Sequence, residues 1–173
     1  MKGQFFILGA VLVLAVLLSG VPFIVKTLPE YRIQPTDNIM AEYPKALNFG
    51  LRENKSTEYL EDFSLFVKSN FGAAETIWIV SEPSGQGLKI TAGNFFNEEK
   101  TIKITANSEE KTVAVGSGLS AVVSYETVPD TFPLAVQWDR QEKNMLWMKN
   151  KANIFVSSDF SFGKNLVRKE VIG

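Results

Sequence analysis

Polar and apolar positions change their period twice along this chain. From Phe5 to Val25 no charged residue interrupts the sequence, and apolar side chains fill every face. Twenty-one residues at 1.5 Å each give a helix about 31 Å long, the thickness of a bilayer's hydrocarbon core. Pro22 lies near the end of the run, where it kinks or ends a helix. Pro29 and Pro35 mark residues 27–36 as an extended connector, with Tyr31 near the membrane interface.

A helical period follows over residues 37–70. Thr36 or Asp37 is placed to cap a helix whose apolar positions are Ile39, Met40, Tyr43 and Leu47. Pro44 falls inside that pattern and is expected to bend or split it. Gly50 to Lys55 reads as a break. Ser56 or Thr57 then caps a second helix with Leu60, Phe63, Phe66 and Val67 on one face and Glu58, Glu61 and Asp62 near its positive end. Phe71-Gly72 closes it.

From Thr76 the period becomes two. Nine strands are expected: 76–81, 87–91, 101–105, 112–115, 120–125, 134–138, 145–148, 153–156 and 166–171. Turn chemistry separates them at Pro83-Ser84-Gly85, Asn97-Glu98-Glu99, Asn107-Ser108-Glu109-Glu110, Gly116-Ser117-Gly118 and Pro129-Asp130. Many short strands at regular spacing predict an antiparallel β-sandwich with an Ig-like layout. With the helices ahead of it, the fold class is α+β. No long internal repeat is visible.

Composition narrows the chemistry. A formal net charge of -1 argues against a nucleic-acid partner. The absence of Cys and His removes thiol nucleophiles, disulfides, imidazole bases and most zinc, copper and haem sites. Thirteen Phe, three Trp and four Tyr supply a core that needs no staple. Ser108-Glu109-Glu110-Lys111 has the Ser-x-x-Lys spacing of serine β-lactamases but sits between strand-like runs, where these are turn residues. Gly116-Ser117-Gly118 is not a nucleophile elbow, and there is no His to serve as its base. The carboxylate pairs Glu61/Asp62, Glu98/Glu99 and Glu109/Glu110 read as solvated surface. No calcium loop and no phosphate-binding glycine motif occurs. No enzyme activity, metal or cofactor is expected. Asn54-Lys55-Ser56 fits the N-glycosylation acceptor in a predicted loop. Phe95-Phe96 and the aromatics from Trp138 to Trp147 are assigned to core packing, with an exposed partner patch as the alternative.

The first segment reads as a retained anchor. An ordinary signal has a shorter apolar run and small residues before the cut. Here Leu17 and Leu18 stand three positions ahead of either cut near Ser19-Gly20, and a lipoprotein signal needs Cys where Val21 stands. Ala15 and Ser19 form a small-xxx-small pair that permits close helix approach in lipid.

Lys2-Gly3-Gln4-Phe5-Phe6-Ile7, abutting the apolar run, resembles the class III signal of archaeal type IV pilins and pilin-like proteins. The resemblance covers about the first 25 residues and, more loosely, the helical stalk and β-rich head behind them. It implies that a prepilin-peptidase-type enzyme cuts between Gly3 and Gln4 and leaves the hydrophobic helix on the mature chain. The layout it implies is a leader at 1–3, a membrane or filament-core helix at 4–26, a connector at 27–36, a helical stalk at 37–70 and a β-sandwich head at 71–173. The expected partners are the membrane and, through Gly9, Ala15 and Ser19, further copies of the same helix. The head is then extracellular, on a single-pass protein or in a filament. The alternative expectation is a monomeric anchored β-module that binds a cell-envelope partner such as an S-layer.

Overall fold

The computed structural model describes residues 34–71 and 74–173. Gln34–Gly173 forms one compact unit. The 5–25 segment, the Gly3–Gln4 junction and the packing residues Gly9, Ala15 and Ser19 lie outside the described residues. Among the described residues no helix is long and apolar enough to cross a membrane.

Two helices come first, α1 (Gln34–Glu53) and α2 (Ser56–Asn70). Ile39, Met40, Tyr43 and Leu47 of α1 are buried, as their spacing predicts. Thr36 and Asp37 lie inside the first turn rather than ahead of it. Pro44 does not split α1, which is continuous through it. Tyr43 and Leu47, buried on either side of the proline, hold the helix against the sheet where the lost backbone bond alone favours a break. The break is shorter than expected. Asn54 adopts a left-handed φ of 57°. The Asn54 N–H donates to the Leu51 carbonyl at 3.3 Å and the Lys55 N–H to the Gly50 carbonyl at 2.7 Å. These are the two bonds of a Schellman C-cap, with Asn in the position usually held by Gly. The cap of α2 is Lys55, which makes no side-chain cap bond. Ser56 instead donates its hydroxyl to Glu82.

Nine strands follow: β1 (Glu75–Ser84), β2 (Gly87–Asn94), β3 (Lys100–Ala106), β4 (Glu109–Val115), β5 (Leu119–Tyr125), β6 (Thr131–Trp138), β7 (Gln141–Met148), β8 (Asn153–Phe162) and β9 (Asn165–Ile172). They form a five-stranded sheet in the order β5-β2-β1-β8-β9 and a four-stranded sheet in the order β4-β3-β6-β7. Every pairing is antiparallel.

Between the sheets lies one core, including Ile77, Ile79, Ile90, Ile104, Phe132, Trp138, Trp147 and Phe155. Alternate residues of β1 and β8 face the other way. Trp78, Val80, Ile154, Val156 and Phe160 form a second core with Tyr43, Leu47, Leu60 and Val67 of the helices. The two helices, expected as a stalk packed on the head, form a third layer that shares its core with the sheet. β1 and β8 are covered on both faces, and burial runs nearly continuously along them, as it does along β2. The face of α2 toward this core is Leu60, Ser64 and Val67. Phe66, expected there, is 53% exposed. Ser64 donates to the Tyr43 hydroxyl at 3.3 Å, and its small side chain lets the helices approach.

Candidate functional site

The residues singled out for chemistry are held in structural roles. In the β3–β4 hairpin Asn107 and Ser108 have φ of 47° and 70°. Positive φ at both central positions is the two-residue turn that fits the twist of a hairpin. Lys111, three residues on from Ser108, turns toward the other sheet. Its ammonium donates to the Ser124 carbonyl of β5, pairs with Glu109 at 2.9 Å and stands 4.8 Å from the centre of the Tyr125 ring. Ser117 donates to the Phe96 carbonyl at 2.5 Å and so fixes the crossing from β4 to β5. Glu110 pairs with Lys103 at 2.7 Å, and Glu61 accepts from Ser120 at 2.6 Å. Among the described residues no group of three acidic side chains is placed to hold a metal.

Among the described residues Lys100 is the one buried cation, 5% exposed. Its ammonium lies 2.6 Å from Glu98 and 2.7 Å from Asp139, over the Phe96 ring at 4.7 Å. Burial pulls its pKa down, but the hydrogen bonds it donates to Asp139 and Glu98, with their negative charges, outweigh this and leave it above the ordinary value. Lys100 ties the start of β3 to the β6–β7 turn. The bidentate pair of Arg168 on Asp159, at 2.6 and 2.5 Å, does the same between β8 and β9. Tyr125 crosses between the sheets, its hydroxyl donating to the Ile104 carbonyl at 2.8 Å. Burial, with Glu109 and Glu110 adding to it, pushes its phenol well above the usual value.

Asn54 is exposed beside a surface cleft of about 330 Å³ lined by Leu51, Ser56, Glu82 and Lys89. The backbone cap explains Asn at this position without a glycan, and the side chain is still open to one. The aromatics assigned to the core are there: Phe95, Phe96, Trp138 and Trp147 are all buried. The indole N–H groups of Trp78 and Trp147 have no hydrogen-bond partner among the described residues.

Among the described residues the surface offers three areas for contact. On the free face of the four-stranded sheet Leu146 is 72% exposed, opposite Pro133 in the register, with Met148 beyond it. Phe66 and Phe71 form an aromatic pair at the end of α2, ring centres 6.3 Å apart. The free edge of β5 is the third such surface. The strand itself is legible in the sequence, but its place at a sheet edge depends on long-range pairing and is not. Compared with known proteins, the chain matches no family model and no curated protein.

Proposed function

We propose that this chain is an archaeal type IV pilin-like structural subunit, anchored by its N-terminal hydrophobic helix and carrying a three-layer β-sandwich head outside the cell. The observation that carries the reading is Lys2-Gly3-Gln4 set directly against the uncharged Phe5–Val25 run, with a compact β-rich unit behind it. A cut after Gly3 leaves the apolar helix as the mature N-terminus. Gly9, Ala15 and Ser19 then set how closely copies of that helix pack, in lipid or in a filament core. The function is structural, in adhesion or filament building, and needs no cofactor.

The exposed Leu146, Met148 and Pro133 on the outer sheet favour one second reading, a monomeric anchored module that binds a cell-envelope partner through this face. Shearing cells and examining the supernatant by negative-stain microscopy separates the two. Wild-type protein in fibres, with Ala15→Phe retained in the membrane and lost from fibres, supports the subunit reading. Protein that stays monomeric in the membrane fraction and never enters fibres refutes it.

A further inference from the structure

Each sheet ends in two strands with an unpaired side, and three of these four edges are guarded. β4 turns Lys111 inward, β7 turns Lys143 inward, and β9 turns Arg168 and Glu170 inward, where Glu170 pairs with Lys143 across the sandwich and Arg168 with Asp159. Inward charges on edge strands are a common device against edge-to-edge pairing. β5 has none. Leu119-Ser120-Ala121-Val122-Val123-Ser124-Tyr125 contains no charged residue and no proline. Its inward side chains Ala121 and Val123 lie partly exposed against the core, Leu119 is 60% exposed and Val122 50%.

The register shows which backbone groups of β5 are open. Ser84 and Gly87 close the β1–β2 hairpin, and Phe95 N–H donates to Thr76, so Gly87, Lys89, Thr91 and Gly93 bond β1. Leu88, Ile90, Ala92 and Asn94 therefore face β5, opposite Tyr125, Val123, Ala121 and Leu119. Ser120, Val122 and Ser124 direct their N–H and C=O groups away from the sheet. Lys111 occupies the Ser124 carbonyl alone.

We infer that β5 pairs antiparallel with β5 of a second copy, about a twofold axis at Val122. In that register Val122 faces Val122, Ser120 faces Ser124, Ala121 faces Val123 and Leu119 faces Tyr125. No charge meets its like, and small or apolar side chains meet throughout. The same operation on β9, about Arg168, sets that arginine against its own copy, and the two repel. The self-complementarity of this one strand makes a second copy the occupant, and a twofold isologous contact is the commonest form of such pairing. The Lys111 ammonium swings to Glu109, its existing partner, when Ser124 is taken. The contact uses the head and is independent of packing between N-terminal helices.

The chain has no cysteine, so single-cysteine variants report the contact cleanly. Residues exchanging both hydrogen bonds across an antiparallel pair have Cα atoms about 5.5 Å apart, within disulfide reach. Full-length protein in native membranes is treated with oxidant or a short bismaleimide and run without reductant. Val122→Cys should give a dimer, and Ser120→Cys co-expressed with Ser124→Cys should give another. Thr112→Cys, on the β4 edge, should stay monomeric. If Val122→Cys fails to accumulate, the serine pair decides. Equal cross-linking at 112 and 122, which helix association alone would produce, overturns the inference. So does the absence of dimer from both β5 tests, or an adduct with a different protein.

Discussion

Adding one methyl group at Gly93 tests how the helix layer is seated on the sheet. Gly93 sits in β2, opposite Trp78 on one side and Ser120 on the other. A Cβ there would come within 2.6 Å of Trp78 Nε1 and closer still to Cε2 and Cζ2. The indole lies flat across the glycine, fully buried between the sheet and the helices, with Phe95 stacked at 6.4 Å. Neither side has room to yield: β2 is hydrogen-bonded on both edges and Trp78 is enclosed. Overpacking of this kind costs about 1–3 kcal/mol. The entropic gain of Gly→Ala offsets about 0.4–1 kcal/mol only where the backbone accepts the side chain without strain. The clash wins, and a net loss of about 2 kcal/mol should lower the midpoint by roughly 6–10 °C for a unit of this size. The assay is thermal unfolding of residues 34–173, followed by near-ultraviolet circular dichroism. Trp78→Leu, which withdraws the ring and forfeits no indole hydrogen bond, is itself destabilising by about 2–4 kcal/mol through the cavity it leaves. In that background Gly93→Ala should cost close to nothing. If Gly93→Ala leaves the midpoint unmoved in the wild type, or its cost is the same with and without Trp78, the packing argument is wrong.

Two further outcomes follow from single positions. Asn54→Gly should be neutral and Asn54→Val should lose about 1–2 kcal/mol, because a β-branched residue resists the left-handed backbone of the α1 cap; equal stability of the two by chemical denaturation would contradict the cap. Tyr125 and Lys100 both have folded-state pKa values raised above their ordinary 10.0 and 10.5, so their contribution is complete below those values and lost as pH rises through the folded ones. Stability should fall above pH about 10, and Tyr125→Phe should lose about 1–2 kcal/mol at neutral pH while flattening that alkaline decline; an unchanged slope in the variant would contradict the assignment.

The alternation of apolar and polar residues places all nine strands, and α1 buries the residues its spacing selects. What the pattern misses is polar burial. β8 is expected to end at Val156 but runs to Phe162, through Ser157, Ser158 and Asp159. These polar residues fall outside the expected strand, yet Ser158 shares a hydrogen bond of 2.8 Å with Thr76 and Asp159 is held by Arg168. Their partners lie in other strands, so no local window identifies them as strand. Phe66 fails for the converse reason: it has the right spacing, but Ser64 takes the place against Tyr43 and α2 turns accordingly. Lys100 looks like a surface lysine until β6 and β7 bring Asp139 to it. The β5 edge is hidden similarly, since LSAVVSY spells a strand but not its neighbours.

A pilin-like subunit requires that Gly3 and Gln4 be parted and the hydrophobic helix kept. Intact-mass and N-terminal analysis of the protein from native membranes measures this directly. The expected mature chain begins at Gln4 and retains everything from Phe5 onward. A chain that begins at Val21, or one that still carries Met1 to Gly3 in full, contradicts it.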